Sequence, residues 1–155
     1  EQDKIRTNDI NPFIDGCEDQ REFLAHSAIE STTQLGVKGI ITDSETGQTA
    51  RNLAAFRGPT PVLAICYKEK TQRWLNLSYG VIPVYQKEHT TPEHTFIAAI
   101  RMLRQKGYIG LEDKIAYLSG SFGEGGGTTL LEINKVSQVF DKSYEFHLPD
   151  YRSAN

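Results

Sequence analysis

A chain of 155 residues, 38% hydrophobic and 24% charged, can bury one real core and is short for two domains. The net charge of −3 gives no electrostatic footing for nucleic acid or an anionic membrane, and no apolar run approaches a membrane span. The polar start Glu1-Gln2-Asp3-Lys4 is unlike a signal peptide, and without an initiating Met the chain reads as a piece of a longer one.

Residues 1–16 hold Pro12 and Gly16 but little apolar periodicity, so they read as a linker or docking arm. A helix is predicted from about Cys17 to Leu35, with Phe23, Leu24, Ser27, Ala28, Thr32 and Leu35 on its inner stripe and Gly36 as its C′ residue. Apolar residues such as Ile29 on a second face leave it open whether that face is buried within the chain or joins an assembly. Val37 to Ile41 is the first strand, almost wholly apolar as in a parallel sheet covered on both sides. A second helix runs from Thr49 to about Arg57, with Ala50, Leu53, Ala54 and Phe56 as its apolar members.

Gly58-Pro59-Thr60-Pro61 breaks the chain before strand two, Val62 to Cys66. Cys17 and Cys66 have no metal or redox spacing; Cys66 reads as a buried free thiol suited to a reducing cytosol, a disulfide being the alternative. Thr71 is expected to cap a third helix carrying Trp74, Leu75 and Leu77. Strand three is Val81 to Tyr85, and Pro83, which cannot donate to a ladder, places it at an edge. Thr91 and Pro92 open a fourth helix whose inner stripe is Phe96, Ile97, Ile100 and Leu103, stopped by Gly107. Lys114 to Leu118 is strand four, and the alternating run Leu130 to Val136 is strand five. The link between them is too short for a crossover helix, so strand five is expected antiparallel, with a tail from Phe140 onward.

Alternating strands and helices specify a three-layer α/β/α sandwich with a mixed sheet of order 3-2-1-4-5, over residues 17–139. Strands one and four are then neighbours at the point where the winding reverses, the place where open α/β sheets bind ligands. Two loops follow those strands: Thr42 to Thr49, and Ser119 to Thr129. Both are rich in Gly, Ser and Thr, and ordinary turn chemistry accounts for either one alone. Facing each other across one crevice, they make a candidate phosphate or effector site from Ser44, Glu45, Thr46, Gly47, Gln48, Thr49, Gly120, Ser121, Gly125, Gly126, Gly127 and Thr128. Charge does not fully agree, because Asp43, Glu45 and Glu124 repel an anion. Arg51, Arg57, Lys70 and Arg73 are the nearest cations in sequence, each reading first as a solvated surface residue.

An independent enzyme is disfavoured. Ser119-Gly120-Ser121-Phe122-Gly123 lacks the order of a nucleophile elbow, no Lys follows the Gly run, and Gly123-Glu124-Gly125 opens no helix. The four histidines are scattered, with no nucleophile visible beside them, and no metal-ligand spacing appears.

Ala28 through Gly36, Ile40-Ile41-Thr42, Thr46-Gly47-Gln48-Thr49-Ala50, Phe56-Arg57, Pro61-Val62-Leu63-Ala64, Thr71-Gln72-Arg73, Tyr79-Gly80-Val81 and Pro83-Val84 resemble the C-terminal domain of pyruvate kinase. The resemblance covers about Glu18 to Val136 and includes strand four with the Gly-rich loop after it. It implies a regulatory and oligomerisation domain separate from a catalytic barrel, within a cytoplasmic homo-oligomer that transfers phosphate from phosphoenolpyruvate to ADP in glycolysis. It also implies that Mg and K serve the parent's barrel, that this fragment holds no cofactor and is inactive alone, and that a sugar phosphate is the candidate effector. Where bisphosphate-binding members commonly carry Trp-Arg-Pro-Gly, this chain has Ser121-Phe122-Gly123-Glu124, which lacks the Arg. A binding module for another phosphorylated metabolite, and a purely structural assembly domain, are the alternatives.

Overall fold

The computed structural model describes residues 19–56, 60–87, 92–120 and 127–145. Ten elements alternate along it: α1 (Gln20–Gln34), β1 (Val37–Ser44), α2 (Gln48–Ala55), β2 (Val62–Cys66), α3 (Glu69–Leu75), β3 (Val81–Tyr85), α4 (Pro92–Gln105), β4 (Lys114–Gly120), β5 (Thr128–Lys135) and α5 (Val136–Glu145). The strands form one sheet in the order β3-β2-β1-β4-β5. The first four run parallel and β5 returns antiparallel to β4, as the short connection requires.

Alternation along each strand divides the core between the two faces of the sheet. Ile41, Leu63, Ile65, Ile115 and Tyr117 point to one side, where Phe96, Ile97, Ile100 and Leu103 of α4 and Val136 and Val139 of α5 cover them. Ile40, Val62, Ala116 and Leu118 point to the other, beneath Ala25 and Ala28 of α1 and Leu53 of α2. The central strands, apolar on both faces, are therefore buried from both sides. Pro83 does sit in an edge strand: Gly80 accepts from Val62 and Gln86 donates to Cys66, so even-numbered backbone groups face β2 and Pro83 turns its missing donor outward.

Four local readings change. The buried face of α1 is Ala25, Ala28 and Ser31, while Phe23 and Leu35 stay about half exposed. Small residues let this helix approach the sheet closely, which a search for large apolar residues misses; Ile29 packs against the core of the same face. Thr71 is not a cap but lies inside α3, whose N-cap is Lys68, and its hydroxyl donates to the Glu45 carbonyl at 2.9 Å. Of the apolar trio expected on this helix only Leu75 is buried; Trp74 is exposed, and Leu77, also exposed, lies past the end of α3. Val136 ends no strand; it opens α5, an element absent from the sequence reading, and Phe140 packs on the α4 side of the core. Thr91 and Cys17 lie outside the described residues, and Cys66 is a buried free thiol whose pKa burial raises to about 11.

Candidate functional site

β1 does not stop at Ile41 but runs through Thr42 and Asp43 to Ser44. That extension sets the first loop. The buried Ser44 hydroxyl accepts from the Gly47 amide at 2.7 Å, closing a tight turn that feeds directly into α2. Gly47 has φ +82, and a Cβ there would meet Leu75 at 3.2 Å, so both backbone conformation and space call for glycine. The first-turn amides of α2, lacking intrahelical acceptors, open onto the carboxyl ends of the strands.

The second loop closes against the first. Gly120 pairs with Thr128 across the start of the β4–β5 ladder, and a Cβ on Gly120 would stand 2.9 Å from the Gly127 carbonyl oxygen. Thr128 is buried, and its hydroxyl meets that of Thr49 at 2.8 Å, joining α2 to β5 across the β1/β4 boundary. The described ends of the two loops, Thr49 and Thr128, thus meet beside the β1/β4 boundary. Ser121, Gly125 and Gly126 fall outside the described residues.

Not every predicted site residue is free to bind. Ser44 is committed to its own turn. Glu45 turns out to solvent, where Lys68 lies 2.9 Å away; the hydrogen bond from Lys68 and its charge hold the carboxyl below its usual range. Gln48 lies along its helix, reaching Asn52 at 3.4 Å and accepting from Arg51 at 3.1 Å. Thr49 and Thr128 are bonded to each other, and Thr46 makes only a long contact to the Gln48 amide, at 3.4 Å, which leaves its exposed hydroxyl as the most available group.

Of the cations nearest in sequence, Arg51 and Arg73 have partners along their own or the neighbouring helix. Arg51 lies over the Trp74 ring at 5.2 Å, and Arg73 faces Glu69 one helical turn away. Arg57 is outside the described residues. Besides Lys68 at Glu45, a cation reaches the described end of the second loop: Arg21, from the first turn of α1. Its stem passes Gly127 so closely that a Cβ there would meet Arg21 Cδ at 3.1 Å. Its guanidinium is held by Asp19, at 3.4 Å, and the side chain as a whole is still about half exposed. Asp19 also accepts from the Arg21 amide as the N-cap of α1, which, ahead of the Arg21 charge, lowers its pKa. Nothing in the sequence couples Arg21 to position 127; only the packing of α1 on β5 does.

A second group escaped the sequence reading. Asp43, counted there as a loop acid, lies within β1 on the α4 side of the sheet. Its Oδ2 accepts from Tyr117 at 3.3 Å and Ser119 at 3.2 Å, both on β4. Burial nevertheless pushes its pKa above the ordinary carboxylate range, because two hydroxyls and the Gly120 amide do not fully replace water. Burial also raises Tyr117, whose ring stacks on Phe96 at 4.2 Å. Among the described residues no group of three potential metal ligands gathers, and no helix is long and apolar enough to cross a membrane.

Known proteins share this arrangement. The family described as "Pyruvate kinase, alpha/beta domain" matches residues 22–134. Pyruvate kinase of Lactobacillus delbrueckii subsp. bulgaricus is 30% identical over 116 residues, 74% of this chain and 20% of that protein. Pyruvate kinase of Borreliella burgdorferi is 30% identical over 122 residues, 77% of this chain and 26% of that one. The structure of Cryptosporidium parvum pyruvate kinase in complex with ADP superposes with a TM-score of 0.69 at 26% identity, covering 75% of this chain and 23% of that one. The chain therefore spans about a fifth to a quarter of the length of these relatives. With strand order, loop motifs and family match in agreement, the chain belongs to the pyruvate kinase alpha/beta domain family.

Proposed function

We propose that this chain is the C-terminal regulatory and assembly domain of a cytoplasmic pyruvate kinase, and that the crevice over β1 and β4 holds a phosphate-bearing effector. The parent enzyme would transfer phosphate from phosphoenolpyruvate to ADP on a barrel that uses Mg and K, with this domain silent in catalysis and docked in a homo-oligomer. The Thr49–Thr128 contact at 2.8 Å supports the effector reading, because it joins the first turn of α2 to the first residue of β5 beside the switch point. The exposed Thr46 hydroxyl, the first amides of α2, and Arg21 with its stem against Gly127 are the further groups this reading draws on.

A thermal-shift titration of the 155-residue chain with a hexose monophosphate and a hexose bisphosphate tests this. A ligand at about a hundred times its Kd stabilises the fold by about 2.7 kcal/mol. The stabilisation is expected to vanish in Thr49→Ala and to weaken in Arg21→Ala. Absence of any shift, with correct folding, would leave a purely structural assembly role.

A further inference from the structure

The helix behind the first loop is held to the domain by few side chains, and those side chains touch the loop. Thr71 and Leu75 are the buried residues of α3. Both lie against Gly47, where a Cβ would meet Leu75 at 3.2 Å and the Thr71 methyl at 3.5 Å. The Thr71 hydroxyl also donates to the Glu45 carbonyl at 2.9 Å. Lys68 adds an ion pair to Glu45, but both side chains are largely exposed and such a pair contributes little. Beyond the loop, Leu75 packs in a small cluster with Ala50, Ala64 and Cys66, separate from the larger clusters under α1 and α4. A helix with so few buried contacts is displaced more easily than α1 or α4.

The far end of α3 faces solvent. Trp74 is exposed, and the turn after it, closed by the Leu77 and Ser78 amides on the Trp74 and Leu75 carbonyls, carries Leu77 and Tyr79 almost fully into water. Leu75, fully buried, joins that end to the loop.

We propose that α3 is a lever on the first loop: an anion gathered by the loop shifts α3 through Thr71 and Leu75, and the shift is delivered at Trp74, Leu77 and Tyr79. The lever rests on the effector reading above and adds how occupancy of that site is passed on. To bring the exposed Thr46 hydroxyl and the first amides of α2 onto one anion, the peptide groups beside Gly47 must turn. Glycine at φ +82 permits the turn. The space next to it is too tight even for a Cβ, so the movement is handed to Leu75 and Thr71 rather than absorbed. The Glu45 carbonyl, bonded to Thr71, moves with the loop and takes the helix along. An anion that binds one placement of the loop better than another thereby selects the placement of α3.

Trp74 is the chain's only tryptophan, so its emission reports on α3. Hexose monophosphate and hexose bisphosphate are each titrated into the 155-residue chain at constant ionic strength, with the Thr49 and Thr128 amides followed by NMR as the site's own signal. Trp74 emission and the Leu77 and Tyr79 amides are expected to shift with the same midpoint as Thr49. Thr71→Val keeps the side chain's shape and removes its donor; the Thr49 shift should remain while most of the far-end response is lost. Arg51 of α2 lies over the Trp74 ring at 5.2 Å, so Arg51→Met tests for a direct reading that bypasses α3, and the far-end response should survive it. The wild-type titration needs no variant to fold. Thr49 shifting while Leu77 and Tyr79 stay still overturns the lever. So does an undiminished far-end response in Thr71→Val, or one that vanishes in Arg51→Met while Thr49 still shifts. The effector reading survives each of these three results. No perturbation at Thr49 or Thr128 by either sugar phosphate removes the effector reading and the lever together.

Discussion

The two faces of the sheet are covered by helices of opposite character. On the α4/α5 side, large residues at helical spacing do the packing: Phe96, Ile97, Ile100 and Leu103 fill the space above Ile41, Leu63, Ile65 and Ile115. On the other side Leu53 of α2 packs the same way, but the fully covered face of α1 is built from small residues, Ala25, Ala28 and Ser31, on the side of Ala116 and Leu118. A helix held off the sheet by its own side chains announces its inner face in sequence. A helix that settles close to the sheet does not, because the residues that permit the approach are inconspicuous. The difference also reaches the site: α1 must lie close for Arg21 to pass against Gly127.

Breaking each face in turn should separate the two modes. Ile100 is fully buried on the α4 side, so Ile100→Ala removes packed volume and leaves a cavity. It is expected to cost about 2–5 kcal/mol, read as a lowered urea midpoint at unchanged m-value. On the other side the damaging change is addition, not deletion. Ala28 is also fully buried, and Ala28→Leu must push α1 away from β4, at a cost of about 1–3 kcal/mol. If α1 is lifted, Arg21 leaves Gly127 as well, so Ala28→Leu should weaken phosphate binding where Ile100→Ala, once corrected for stability, should not. A tolerated Ala28→Leu would mean that close approach is not what the small residues are for.

How much of this was legible in the sequence follows from the same contrast. The strand order could be read because each clue was local: Pro83 marking an edge, a short β4–β5 link, apolar runs too uniform for a half-exposed sheet. That the carboxyl ends of β1 and β4 lie side by side followed from topology alone. What stayed hidden depended on where a backbone turned or what lay across a tertiary contact. Asp43 looked like a loop acid because the apolar run ends at Ile41, yet the strand continues three residues further and carries the carboxyl into the protein. Arg21 is 106 positions from Gly127 in the chain, and nothing local relates them. The missed helix α5 did leave a signal: Val136, Val139 and Phe140 recur at helical spacing, masked by the alternation of β5 just before them.

The smallest expected effect sharpens the comparison most. Phe23 is the bulkiest apolar residue of α1 and the natural first choice for its inner stripe, yet it is 47% exposed, while Ala25 and Ala28 are fully covered. If size marked the buried face, Phe23→Ser would open a hole and cost as much as a core truncation, several kcal/mol. With the ring at the surface, the change removes only half-covered area and should cost under about 1 kcal/mol. The same substitution adds a second reading through assembly. A half-exposed ring on a helix next to the sheet's β5 edge would be buried if that edge meets a second copy, so the cost would then depend on protein concentration. Urea unfolding of Phe23→Ser at two concentrations well apart measures both quantities: a small, concentration-independent loss places the ring in solvent, and a loss that grows with concentration places it in an interface.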